Sequence, residues 1–218
     1  MAVFKRNLTS KVLEKAAAAQ INKSGNNLSI LEIGCGDGNI SRNLAQKFPD
    51  NKFYASDISN EAVSLAKQLD LENKIDFRIS NGIEEWLNFE FDLIICDISA
   101  ISEIIADLSD WYDGVSCETG EDGLRIIYEV IQSIKKISHK KSIFLIPIIS
   151  LCNVKKQEKF LNDTFSSVEY SKKIEWPIPE DLLTKLENNS VNLNSDFLDV
   201  KQRFGMVVAY TCSATCYI

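Results

Sequence analysis

The sequence predicts an α/β fold in which a mostly parallel sheet is covered by helices on both faces. Three observations predict it. Short apolar runs alternate with stretches of helical periodicity along the chain. Three closely spaced glycines follow directly on the first apolar run and open a helix. The 218 residues are 45% hydrophobic and 25% charged, the balance of one globular domain with a full core. The expected organisation is a single domain over 1–218, with an N-terminal helical segment at 1–27 and the core at 28–218.

A first helix is expected over 11–23, with Leu13, Ala17 and Ile21 on one face, stopping at Ser24-Gly25-Asn26-Asn27. Residues 28–33 read as a strand. After the glycines, Ile40, Leu44 and Phe48 stand four apart on a helix. Residues 52–56 form the next strand and 60–69 a helix, for which Ser59 is a good N-cap and Glu61 suits the positive end. Residues 74–79 and 91–96 are the third and fourth strands, the latter strongly apolar. A loop is expected to about Thr119, where Thr119-Gly120-Glu121-Asp122 has the spacing of a capping box. Leu124, Ile127, Tyr128, Ile131 and Ile134 then mark a long amphipathic helix ending in Lys135 and Lys136. Residues 142–149 are a fifth strand, 156–162 a helix, and 168–176 and 204–211 two late strands.

Several classes of function are disfavoured. With 24 Lys+Arg against 31 Asp+Glu the net charge is -7, which opposes sequence-independent nucleic-acid binding. No apolar run approaches a membrane span, and the N-terminus has no apolar signal region. The basic residues Lys5, Arg6, Lys11 and Lys15 faintly resemble a transit peptide, and an ordinary exposed helix explains them as well. Six cysteines without a CxxC pair, beside a single His139, give no zinc pattern, and no metal is expected. Reduced cysteines in apolar runs make the cytoplasm the simplest location. Cys212 and Cys216 read as packing residues. Lys135, Lys136, Lys140 and Lys141 around His139 read as a solvated helix end.

Parallel sheets of this kind bind ligands at the carboxyl ends of their strands, and the candidate residues fall there. Gly34, Gly36 and Gly38 sit in Leu31-Glu32-Ile33-Gly34-Cys35-Gly36-Asp37-Gly38, where glycines let backbone approach a ligand closely. Their GxGxG spacing differs from the GxGxxG of nicotinamide binders. Glu32 is expected at the crevice rim, where a carboxylate repels pyrophosphate and attracts a cation. Asp57, about 20 positions on, is placed to accept hydrogen bonds from ribose hydroxyls. Ile58 beside it suits a purine face. Asn81, in Ser80-Asn81-Gly82, offers a donor and an acceptor to an adenine edge, with Gly82 next to it in the same turn.

These residues resemble the class I S-adenosylmethionine-dependent methyltransferase family. Glu32 to Gly38 resembles its first motif, Asp57 its ribose-binding acid, and Asn81 its adenine contact. The resemblance covers roughly 28–149 and implies a Rossmann-like three-layer sandwich. Its sheet would have seven strands with an antiparallel last strand, closed by the two late strands. It also implies S-adenosyl-L-methionine as cofactor and an acceptor site after the fourth strand.

At that point one subgroup, which includes protein-glutamine methyltransferases, carries Asn/Asp-Pro-Pro-Tyr/Phe. Asp97 matches the first position; Ile98, Ser99 and Ala100 depart from the rest. Gly120-Glu121-Asp122-Gly123-Leu124 resembles another stretch of the same subgroup. The subgroup's separate N-terminal helical domain is not expected, since about 27 residues precede the first strand. Asp97 is thus a candidate for contacting the acceptor or acting as base, with helix capping as the alternative. Tyr112 is either a replacement for the missing aromatic or a loop anchor. Glu121 and Asp122 either line the acceptor entrance or serve as helix N-terminal charges. The segment 176–179 is either a pocket wall or a plain connector.

The expected function is methyl transfer to a nitrogen, in preference to an oxygen, on a peptide or protein side chain or a small metabolite, with no nucleic acid or membrane partner. The rivals are a non-catalytic adenosylmethionine-binding module acting through a partner, and a nicotinamide-dependent oxidoreductase.

Overall fold

The computed structural model describes residues 7–112, 117–193, 195 and 197–218. Lys5 and Arg6 lie outside the described residues. Among the described residues the elements run α1 (Leu8–Ser24), β1 (Ser29–Ile33), α2 (Asn39–Lys47), β2 (Lys52–Asp57), α3 (Asn60–Leu69) and β3 (Ile75–Ile79). They continue with β4 (Phe91–Cys96), α4 (Glu103–Leu108), α5 (Arg125–Ile134), β5 (Ser138–Ile149) and α6 (Val154–Thr164). The chain closes with β6 (Ser167–Tyr170), β7 (Ile174–Pro177), α7 (Glu180–Asn188), β8 (Lys201–Arg203) and β9 (Met206–Tyr217).

The nine strands form one sheet whose main path is β3-β2-β1-β4-β5-β9-β6. β1 to β5 are parallel, and β9 runs antiparallel to β5 and to β6. This is the mostly parallel sheet with an antiparallel end that the resemblance implies. Two short strands, β7 and β8, also pair with β9 and extend it beyond the seven-strand path. Thr211 pairs with both Ile149 and Ile174, so β7 lies on the side of β9 away from β5.

Side-chain alternation along the strands separates two cores. Ile30, Leu93, Ile95 and Leu145 point to the face covered by α1, α2 and α3, where Leu13, Ala17 and Ile21 of α1 pack. Leu31, Ile94, Cys96, Phe144 and Ile146 point to the other face, beneath α4, α5, α6 and α7. Leu93 to Cys96 are at most 2% exposed, because a central parallel strand is covered on both sides.

The structure departs from expectation in the second half. The single late strand at 168–176 is two, because three residues, 171–173, stand opposite only Cys212 and Ser213 of β9 and interrupt the ladder. The last strand runs six residues further than expected, since Cys212, Ala214 and Cys216 continue its buried alternation. The stretch read as loop before Thr119 contains α4, whose six residues are too short to show a period. There is no capping box at Thr119. Its buried hydroxyl donates to the Ile101 carbonyl (2.6 Å), and α5 begins only at Arg125, with the Leu124 N–H donating to Asp122 Oδ1 (3.2 Å). No helix among the described residues is long and apolar enough to cross a membrane.

Candidate active site

A cleft of about 740 Å³ opens at the carboxyl ends of β1, β2, β3 and β4. The loop after β1 is stitched to the end of β2. The Ser56 carbonyl accepts from Gly34 N (2.8 Å) and Cys35 N (2.9 Å). Asp57 closes the same seam, with Oδ2 accepting from Gly36 N and Oδ1 from Ser59 N, each at 2.9 Å. Each carboxylate oxygen has a second lone pair, so the pinned carboxylate retains capacity for a ligand's hydroxyls.

Two of the glycines have different reasons to be glycine. Gly34 has φ +79°, and a Cβ there would lie 2.7 Å from the Asp97 carbonyl oxygen, so it lets the β1 and β4 loops touch. Gly38 takes a left-handed conformation at the start of α2, and its Cβ would lie 2.7 Å from the Phe77 ring. Gly34 and Gly36 line the cleft; Gly38 is absent from its lining and serves helix packing instead. Gly38, expected beside the cofactor, thus packs on Phe77 between the lining residues Asp37 and Asn39.

Glu32 also differs from expectation. It is 1% exposed, deep in the cleft floor rather than at the rim, and its Oε2 accepts from both the Ser41 N–H (2.9 Å) and the Ser41 hydroxyl. Burial pushes its carboxyl well above the usual carboxylate range against the pull of Ser41, and the charges of Asp97 and Asp37 add to the rise. Its hydrogen bonds tie β1 to the first turn of α2.

Beside Asp57 the cleft is open. Ile58 is 72% exposed although apolar, an unusual placement for such a side chain. Asn81 is exposed with its amide 3.5 Å from Glu84 Oε1, and a Cβ on Gly82 would meet nothing within 4 Å. Ile58, Asn81 and Gly82 all line the cleft.

Asp97 lies at the carboxyl end of β4, its N–H donating to the Ile33 carbonyl (2.8 Å). Its side chain is half-buried and lines the cleft. It caps no helix, since α4 begins only at Glu103. Its Oδ2 accepts from the Ser10 hydroxyl at 2.7 Å. Burial pushes its carboxyl up to about 6, with Ser10 pulling it down and Asp57 pushing it up. Tyr112 lines the same part of the cleft; burial raises its phenol well above the ordinary value, opposed by a hydrogen bond to Ser99.

Other candidates lie elsewhere. Glu121 and Asp122 are not in the cleft lining; Asp122 pairs with Lys156 (3.1 Å), and the Glu121 carbonyl accepts from Ser102 Oγ (2.7 Å). Trp176 packs edge-on against Trp111, ring centres 5.7 Å apart, also outside the cleft lining. His139 pairs with Asp92 at the start of β4 (3.0 Å), and Lys136, just past the end of α5, lines the cleft. Among the described residues no cluster of His, Cys, Asp or Glu is placed to hold a metal ion. The reading of the sequence missed the first turn of α1, where Asn7, Thr9 and Ser10 line the cleft. No local pattern signals it, because Ser10 meets Asp97 across 87 residues of chain. It also missed Glu118 and Arg125, paired at 2.9 Å on the rim.

Comparison with known proteins gives this cleft a context. A family model described as a methyltransferase domain matches residues 24–193. The chain belongs to the methyltransferase domain family. Over 92 residues the chain is 39% identical to a release factor glutamine methyltransferase of Dictyoglomus turgidum, covering 39% of this chain and 32% of that relative. Over 69 residues it is 39% identical to a malonyl-[acyl-carrier protein] O-methyltransferase of Priestia megaterium, covering 31% of this chain and 25% of that one. The chain therefore spans a third or less of these two curated relatives. Among solved structures it resembles the ribosomal protein L11 methylase of Lactobacillus delbrueckii subsp. bulgaricus, with a TM-score of 0.56 at 15% identity over 96% of this chain and 80% of that one. It also resembles the N-methyltransferase NodS of Bradyrhizobium japonicum, solved with S-adenosyl-l-homocysteine. That match has a TM-score of 0.53 at 13% identity over 98% of this chain and 90% of the other. These structural likenesses establish the fold. The resemblance to class I S-adenosylmethionine-dependent methyltransferases drawn from Glu32–Gly38, Asp57 and Asn81 thus holds for family and fold.

Proposed function

We propose that the cleft seats S-adenosyl-L-methionine and passes its methyl group to a nitrogen nucleophile, on a peptide or protein side chain or a small metabolite. The observation that carries this reading is the placement of Asp97. A hydrogen-bond-accepting carboxylate lines the same cleft as the glycine loop, and its backbone abuts Gly34. In the proposed pose Asp57 accepts from the ribose hydroxyls, Ile58 packs on the purine face, Asn81 and Gly82 meet the adenine edge, and Gly34 and Gly36 present backbone to the amino-acid portion.

The donor carries its own leaving group, so the chain's residues contribute orientation and proton removal. The nucleophile's lone pair forms the bond to the methyl carbon as the carbon–sulfur bond breaks. The electron pair stays on sulfur, and adenosylhomocysteine leaves. The proton displaced from the nitrogen passes to the ionised Asp97 carboxylate. Tyr112 forms a wall of the acceptor side. Nitrogen is supported by the match of Asp97 to the first position of the subgroup motif and by the relatives named as glutamine methyltransferases. The match to an O-methyltransferase keeps oxygen as the second reading.

Calorimetric titration with adenosylhomocysteine tests the donor seat, and a soaked structure locates it. Mass spectrometry of candidate amines, amides and peptides incubated with donor and enzyme tests transfer. Adenosylhomocysteine that binds without any methylated product across nitrogen and oxygen acceptors would support a non-catalytic binding module instead. Absence of binding, together with affinity for a nicotinamide nucleotide, would point to the oxidoreductase.

A further inference from the structure

We propose that Ser10, on the N-terminal helix, is a positioning residue for Asp97, so that α1 is part of the methyl-transfer site. This rests on the role given to Asp97 above. The Ser10 hydroxyl has one hydrogen and two carboxamide or carboxylate oxygens within reach: Asp97 Oδ2 at 2.7 Å and Asn7 Oδ1 at 3.4 Å. The shorter contact is to the ionisable group, and a hydrogen bond to a charged acceptor is the stronger of the two. Asn7 Oδ1 is already satisfied by the Ser10 N–H at 3.0 Å, which caps the helix.

The placement of Ser10 is rigid. Leu13, Ala17 and Ile21 fix α1 against the sheet through Ile30, Leu93, Ile95 and Leu145. Thr9 meets Thr211 on β9 at 3.3 Å, holding the first turn over the cleft. Ser10 itself is 5% exposed, so water competes little for its hydroxyl. A donor held this way does two things. It selects one orientation of the Asp97 carboxylate, leaving Oδ1 for the acceptor, and it favours the charged form required for proton removal. It works against the other ionisable groups around Asp97: Glu32 on β1, Asp57 at the end of β2, Cys96 on β4 and Tyr112.

The acceptor being unidentified, the test reads the titration of Asp97 directly. In protein labelled with 13C at the aspartate carboxyls, the Asp97 signal is assigned by its loss in Asp97→Asn. In Ser10→Ala its midpoint moves up by about one pH unit, a tenfold change in proton affinity, and in Ser10→Thr, which keeps the hydroxyl, it returns to the parent value. Should Ser10→Ala fail to fold, Ser10→Cys, with its weaker donor, carries the same expectation. A midpoint unmoved in Ser10→Ala or Ser10→Cys, or shifted equally in Ser10→Thr, overturns the proposal. Calorimetry with adenosylhomocysteine separates the two readings. A shift in Asp97 without nucleoside binding would retain the Ser10 coupling and refute the donor seat.

Discussion

At Asp97 burial and hydrogen bonding act in opposite directions, and burial prevails: the carboxyl rises from 3.8 to about 6. The folded chain therefore holds this proton more tightly than the unfolded chain. The associated stability is fully present below about pH 3.8 and is lost as the pH rises through about 6. Asp97→Asn removes that loss. The unfolding free energy of the Asn variant relative to the parent should thus grow across this window, measured by urea unfolding at a series of pH values; a constant difference would show that Asp97 titrates normally. Asp57 is a carboxylate already holding two backbone N–H groups. Asp57→Ala is expected to weaken adenosylhomocysteine binding by about 1–3 kcal/mol, and unchanged calorimetric affinity in a folded variant would remove it from the seat. Ile58 is exposed, so Ile58→Ala should change stability by less than about 0.5 kcal/mol while lowering nucleoside affinity. An equal affinity would mean that no purine packs there.

At the scale of elements, the loop after β1 is confined by its neighbours. Gly34 faces the Asp97 carbonyl at a distance no Cβ tolerates, whereas Gly82 faces open space. Both have positive φ, so both alanine variants carry backbone strain on the order of 1–2 kcal/mol. Only Gly34→Ala adds a collision with backbone. It should be clearly the less stable of the two by denaturant unfolding; equal stability would mean that the β1 and β4 loops move apart at no cost. Turn and helix boundaries at this scale were partly legible. Residues 60–69 and 91–96 coincide with α3 and β4, because their periodicity and the Ser59 cap, whose Oγ accepts from Ala62 N at 3.2 Å, are local. The expected capping box was not, because Thr119 is drawn to the Ile101 carbonyl by tertiary packing, where its hydroxyl is satisfied without a helix.

On the scale of the whole molecule, α1 joins β9 to the cleft, packing on β9 and reaching Asp97 at the end of β4. Leu13 of α1 is fully buried in the core that holds Ile30, Leu93, Ile95 and Leu145. Leu13→Ala is expected to cost about 2–5 kcal/mol by urea unfolding, and a cost under about 1 kcal/mol would show that α1 is not tightly docked. The sequence by itself determined the α/β class, the glycine turn and the carboxylates at the strand ends, since apolar period and short-range spacing are carried by adjacent residues. Only the tertiary structure decided that Gly38 faces Phe77, that Glu32 is sealed against Ser41, and that Ser10 reaches Asp97. Those contacts depend on which strands become neighbours and how deeply each end is covered, and chain separation hides both until the sheet is assembled.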